Sequence, residues 1–467
     1  MMKKQHFKFT ALCMLGLGMS QMALAETAPR QTLPSFQAKD IPTMCNAKIA
    51  DVKKQLKTFE NKPLKNETAA APILAEWDRI FASFEDFYGP IGLYSNVDPD
   101  EALRKAAEDC EIKISQFQTD VYQNPKLYQQ IKKIKIADPI EAKFREDILE
   151  GFEKTGIQLS ADKQARLKAI FDELAKIEQE YARNVRDNPE KLEFSLDELK
   201  GLPQSYIDGL KKNDKGNYLL GFEYPDYRPF MELADNDYAR KRYELAKLFG
   251  KSSYAEWVLK SRMAKTPETV NKFLAEVHAT VAPLEKKEVQ TLREFKARSL
   301  NIPVEQASIE RWSEAYWSEK LRKAKYQVDQ EQLRQYFPTQ ASQDWLFAIS
   351  ENLYGIKFKP AKVEVWQDEV EYYDVTDAKT GQLLGGLYMD KFPRKGKYGH
   401  AAVWSVYGGS SLTGRKPISA LVTNFNRNGL NSDELETFVH EFGHALHGIL
   451  SNTRFSSQSG TSVERDF

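Results

Sequence analysis

Apolar positions recur at helical spacing along most of this chain. Residues 77–87, 101–117, 163–181, 238–249, 269–300 and 305–336 are charged, poor in glycine and apolar-periodic, and each predicts a helix. In 163–181, Leu167, Ile170, Phe171, Leu174, Ile177 and Tyr181 make one stripe behind a capping Ser160, the pattern of a core-facing surface. The period then shortens. Residues 363–366, 370–375, 383–388, 401–407 and 418–425 predict strands, with 370–375 and 383–388 joined through a turn at 377–381. Helical spacing returns in NSDELETFVHEFGHALHGIL at 431–450, where Leu435, Phe438, Val439, Phe442, Leu446 and Ile449 share a face and Asn431 or Ser432 supplies the cap. The fold class is therefore mainly α, with a small β-sheet just ahead of the last helix. No repeat or low-complexity linker divides it.

The first 25 residues stand apart. Lys3, Lys4 and Lys8 precede a short apolar run, and Ala23-Leu24-Ala25 offers small residues for cleavage before Glu26, so 1–25 reads as a signal peptide. The run is too short to span a bilayer. An exported protein is expected, periplasmic or secreted. Residues 26–160 then form an N-terminal helical region and 161–467 a second helical region with the sheet. Cys13 leaves with the leader, and Cys45 and Cys110 remain. An even pair in an oxidising compartment points to a disulfide between two N-terminal helices, with two buried thiols as the alternative. Lys plus Arg equals Asp plus Glu at 67 each, so net charge gives no basis for binding nucleic acid or an anionic membrane.

Three of the six histidines fall in the last helix. Residues four apart stand one turn above each other, so His440 and His444 can place two imidazoles on one metal ion with Glu441 beside them. This is the HExxH signature. The histidines hold Zn²⁺ as neutral ligands, and the glutamate takes a proton from the water that attacks a peptide carbonyl. Zinc also needs a third protein ligand. Spacing alone nominates Glu464, twenty residues after His444.

With these words in hand, the chain resembles the thimet oligopeptidase, neurolysin and oligopeptidase A group of zinc metallopeptidases over nearly all of its mature length. The resemblance rests on ELETFVHEFGHALH at 434–447 and LYMDKFPRKGKYGHAA at 387–402. YAE at 254–256, RMAKTP at 262–267, YQVDQ at 326–330, YFP at 336–338 and SGTSVERDF at 459–467 add to it. It implies a two-lobed helical molecule with a central channel, one Zn²⁺ per chain, and endo-acting cleavage of short unstructured peptides, acting as a monomer. It also implies that Glu464 lies outside the metal's ligand set and that the third ligand is a glutamate just beyond Phe467. The chain is then an incomplete catalytic domain, expected to be inactive by itself. A non-catalytic peptide binder or relic of the same fold is the alternative. Around residues 237–249 the chain also looks about one helical hairpin short of the family.

Other residues carry narrower expectations. Peptidases of this kind hold substrate extended on a strand edge, and either 401–407 or 418–425 is the candidate. Gly385-Gly386 and Gly408-Gly409 permit close backbone approach or serve as plain turn glycines, and Gly443 is expected to let a strand pack close to the HExxH helix. His447 reads as a helix-end residue supporting the site and His278 as a surface or core histidine. His400 either meets substrate or caps a strand, while Tyr388, Asp390 and Arg394 read as structural pairing around a turn.

Overall fold

The computed structural model describes residues 30–62, 70–186, 191–196, 212–221 and 237–466, so the leader expected at 1–25 lies outside the described residues. Six helices lead: α1 (Ile41–Glu60), α2 (Ala70–Val97), α3 (Glu101–Tyr122), α4 (Pro125–Lys132), α5 (Pro139–Lys154) and α6 (Ala161–Arg186). Local capping chemistry sets several starts. Asp100, Asn124 and Asp138 each accept backbone N–H bonds at the head of α3, α4 and α5, and proline opens α4 and α5 where its missing N–H costs nothing. Cys45 of α1 and Cys110 of α3 form a disulfide. A two-stranded antiparallel ribbon follows, β1 (Lys191–Phe194) with β2 (Tyr218–Gly221). Then come α7 (Asp237–Leu248), α8 (Tyr254–Leu259), α9 (Pro267–Leu300), α10 (Arg311–Tyr326), α11 (Gln330–Leu333) and α12 (Thr339–Tyr354). No described helix is long and apolar enough to cross a membrane.

The stretch 305–336 is not the single helix its periodicity predicts. Gln327 ends α10 in the left-handed conformation, and the Asp329 carboxylate caps the head of α11, so two local signals interrupt the apolar pattern.

The second sheet is the frame of the molecule. Its strands are β3 (Ile356–Pro360), β4 (Glu371–Asp377), β5 (Leu383–Asp390), β6 (Ala402–Tyr407) and β7 (Ile418–Val422), in the order β3-β4-β5-β7-β6. β5 and β7 are parallel and the remaining pairs antiparallel. Residues 363–366 are not a strand. The outer strand lies earlier, at 356–360, ending on Pro360, which a sheet edge tolerates because no donor is needed there. Val363, Val365 and Trp366 pack instead on the N-terminal helices.

Period-two alternation sends the sheet's two faces into two cores. Tyr372, Tyr388, Val406, Ile418 and Ala420 pack with helices α1 to α5. Leu387, Met389 and Leu421 face the other way, onto α12 and the final helix α13 (Ser432–Leu450). The sheet thus joins the N-terminal helices to α13.

Gly385, Gly386 and Gly408 are close-approach residues. A Cβ on Gly385 would fall 2.7 Å from the Pro417 carbonyl oxygen, and one on Gly408 2.2 Å from that of Ser456. The turn after β5 is held by a buried ion network. Asp390 accepts from Arg394 at 2.7 and 2.8 Å and from the Trp366 indole at 2.9 Å, with the Lys397 ammonium 2.8 Å away. Burial pushes the Asp390 carboxyl up, but Arg394 and Lys397 outweigh it and hold it below the usual range. Tyr388 is fully buried, its hydroxyl accepting from the Leu33 N–H at 3.2 Å. These three residues are structural, as their spacing around the turn suggests.

Candidate metal centre

α13 begins with a capping box. The Asn431 side chain accepts from the Glu434 N–H at 2.8 Å and the Glu434 carboxylate from the Asn431 N–H at 2.9 Å. Glu434 also pairs with Arg334, and Gln330 bonds Ser432 on both of its amide atoms, so the head of α13 is tied to α11 and the turn behind it. Its rotation about its own axis is fixed by Phe438, Phe442, Ala445 and Ile449, all buried against the sheet and α12. With those positions inward, His440, His444 and His447 come out on the opposite side, exposed, and Glu441 sits half-buried on the flank between.

The two motif histidines converge. His440 Nε2 and His444 Nε2 are 3.2 Å apart with their rings nearly perpendicular. Two nitrogens at about 2.0–2.1 Å from a tetrahedral ion stand about 3.3 Å apart, so this pair already has the spacing of two ligands on one Zn²⁺. Among the described residues, no group of three His, Cys, Asp or Glu side chains is gathered to hold a metal. Glu464 is not brought to the histidines. Its charge is felt by Lys143 of α5, on the far side of the sheet from α13, so the separation of twenty residues does not translate into proximity.

Two expectations about the neighbourhood change. Gly443 has nothing within 4 Å of where a Cβ would sit and is exposed. The close-packing glycine is Gly448, whose Cβ would fall 2.6 Å from Ser419 Oγ of β7 and 3.8 Å from Ser405 Oγ of β6. The spacing had the right residue type on the wrong turn. Of the two candidate edges, 418–425 is excluded because β7 lies between β5 and β6. The open edge beside α13 is β6.

The register of helix and strand follows. α13 has Gly448 at Ser419 and Phe438 against Phe425, 5.2 Å between rings, so it runs antiparallel to β7 and parallel to β6. Ala402 pairs with Val422 and therefore stands level with the HExxH turns, and Glu441, seven residues before Gly448, lies on the same flank of α13 as that glycine. Among the described residues, no backbone hydrogen bond reaches 402–406 from any segment but β7. His400 precedes this strand, its carbonyl accepting from Asn424 at 2.9 Å. His447 stands in the last turn of α13, and His278 is exposed on α9. Of the two edges nominated from sequence, only the strand order singles out β6, because strand order is not written in periodicity.

The sequence profile of Peptidase family M3 matches residues 233–467. A thimet-like oligopeptidase from Dictyostelium discoideum is 29% identical, the match covering 89% of this chain and 69% of that protein. Oligopeptidase A from Salmonella typhimurium is 29% identical over 92% of this chain and 71% of its own length, and oligopeptidase A from Escherichia coli 30% identical over 83% and 64%. The chain thus spans about two thirds of the length of these relatives.

Proposed function

Because the chain belongs to peptidase family M3, we propose that it is a zinc-dependent peptidase acting on short peptides, with His440 and His444 as metal ligands and Glu441 as general base. The observation that carries this reading is the 3.2 Å convergence of the two imidazoles beside a half-buried glutamate on a rigidly capped helix. Bound Zn²⁺ would supply Lewis acidity toward the carbonyl and acidify a water.

The chain's own residues do the rest. A peptide adding to the free edge of β6 is held extended, with its backbone level with the HExxH turns at Ala402. Glu441, half-buried on α13 at the same level, would stand beside it. Its carboxylate accepts a proton from the attacking water and returns it to the leaving nitrogen, so one group serves as base and then acid. The half-buried position on a packed helix limits where that carboxylate can swing, which keeps the proton transfer aligned.

The reading includes export. The Cys45–Cys110 disulfide supports an oxidising compartment, and N-terminal sequencing of protein recovered from the periplasm should begin at Glu26. A second reading, peptide binding without hydrolysis, is favoured by one observation, the lack of a third donor beside the histidines among the described residues. Two histidines with no third protein ligand would hold zinc weakly.

One assay separates the two. An internally quenched seven-residue peptide is followed with a chelator, then with zinc restored. The enzyme loses turnover and regains it, and Glu441→Gln lowers turnover by about 10²–10⁴-fold while zinc stays bound. Peptide that stays intact under every condition supports the binder, and turnover indifferent to chelation ends the zinc reading.

A further inference from the structure

α2 is held close at both ends of β6. A Cβ on Gly89 would fall 2.1 Å from the Val406 carbonyl oxygen, and the Asn96 carbonyl accepts from the Tyr398 N–H at 2.7 Å, so the helix runs antiparallel to the strand. Between those contacts it stands off. A Cβ on Gly92 would have no atom of β6 within 4 Å and would meet the Glu111 carboxylate at 3.3 Å. A cavity of about 450 Å³ occupies that gap, bounded by α2, α3, α6 and the strand. Its size falls within the roughly 300–1,000 Å³ usual for small-ligand sites.

The cavity lies off the outer edge of the strand. Neighbouring residues of a strand point to opposite faces, and Trp404 and Ser405 both line the cavity, which a space above one face alone would not allow. Trp404 turns toward the N-terminal helices and packs on their core, and its indole is set by the Tyr398 ring, 5.3 Å away and nearly perpendicular. It stays half-buried, so part of the ring is left uncovered. On the opposite wall Gln179 donates to Glu111 at 3.1 Å, so those polar groups engage each other.

A peptide added to this edge brings its side chains into step with those of β6. The residue directly opposite Trp404 projects on the same face, with the two Cβ atoms about 4.5–5.5 Å apart. On that face lie the uncovered part of the indole and the gap beside Gly92. Aromatic rings pair best offset or edge to face at about 4.5–7 Å between centroids, so a second ring there extends the Tyr398–Trp404 pair. Antiparallel addition is the commoner pairing. Because β6 runs from Ala402 to Tyr407, it puts this residue two positions to the amino side of the one level with Ala402.

Resting on the peptidase reading above, we infer that Trp404 is a specificity-determining residue, taking an aromatic side chain of a peptide on β6 into the cavity between the strand and α2. The bound ring occupies the gap beside Gly92 and covers the indole. The site then selects by shape and apolar contact at one substrate position, away from the attacked bond.

The test uses the full chain in chelator, so that nothing is cleaved. Two nine-residue peptides of one uncharged alanine, threonine and valine sequence are acetylated at the amino end and carry a fluorophore at the carboxyl end. They differ only at the central residue, phenylalanine in one and alanine in the other. Binding is read by fluorescence anisotropy. The phenylalanine peptide is expected to bind about tenfold tighter, the scale of burying one large apolar side chain. That preference should vanish in Trp404→Ala, which removes the indole, and in Gly92→Leu, which fills the gap from α2. Urea midpoints establish that each variant folds. Equal binding of both peptides to the parent chain, or a preference that survives in a folded variant, overturns the inference and leaves peptide binding on β6 standing. Failure of both peptides to bind the parent overturns the inference together with the β6 reading.

Discussion

Replacing Gly89 by alanine would test how tightly α2 clamps the end of β6. The new methyl carbon would stand 2.1 Å from the Val406 carbonyl oxygen, where an ordinary carbon–oxygen contact needs about 3.3 Å. About 1.2 Å of relief is required. Neither partner is a flexible side-chain end, since one is helix and the other strand backbone. Sliding α2 away is opposed by Arg415, which pairs with both Glu85 and Asp86, and by the Tyr407 bond to Asp86. Overpacking of this kind costs about 1–3 kcal/mol, and backbone against backbone belongs at the upper end. Alanine returns about 1 kcal/mol through helix propensity. A net loss of about 2 kcal/mol is expected, read as a lower urea midpoint by tryptophan fluorescence with an unchanged slope. An unchanged or raised midpoint would refute the clamp.

Four further outcomes follow from the same structure. Gly443→Ala meets open space in a helix interior and should raise stability by about 1 kcal/mol; a loss would restore the idea that a strand packs on it. Asp390→Asn leaves Arg394 and Lys397 buried without their carboxylate and should cost about 3–5 kcal/mol at neutral pH. Because the folded-state value of Asp390 is depressed, its contribution is complete above the ordinary aspartate range near about pH 3.9 and is lost as pH falls through the lower folded value. Parent and variant midpoints should therefore converge only in strong acid, and parallel curves down to that range would contradict the pairing. Removing both cysteines opens a loop of 65 residues and should cost about 4 kcal/mol by chain entropy, measured against the parent without reductant.

Local rules carried the sequence reading furthest. Asn431, Glu434 and the apolar positions of α13 specify a capped helix with a fixed inward face, and that face alone dictates that His440 and His444 converge outward. What escaped was non-local. Whether β6 or β7 is an edge depends on a parallel crossing between β5 and β7 that no strand's own pattern records. Gly443 and Gly448 look alike until the neighbouring strand is placed, and only Gly448 meets one. The break at Gln327 was legible, since Asp329 is a capping residue, but the apolar period on either side masked it. Glu464 shows the limit of spacing arguments, because the chain that follows the end of α13 at Leu450 carries it toward α5 instead of back to the helix.

The bond between Cys45 and Cys110 closes a covalent ring through which all of α2 is threaded as part of the circumference. A protease that cuts once anywhere between those cysteines opens the ring without releasing a fragment. The nicked protein would migrate as one species on a gel until a reducing agent is added, then separate into two. Intact mass alone would register the cut only as the gain of a single water.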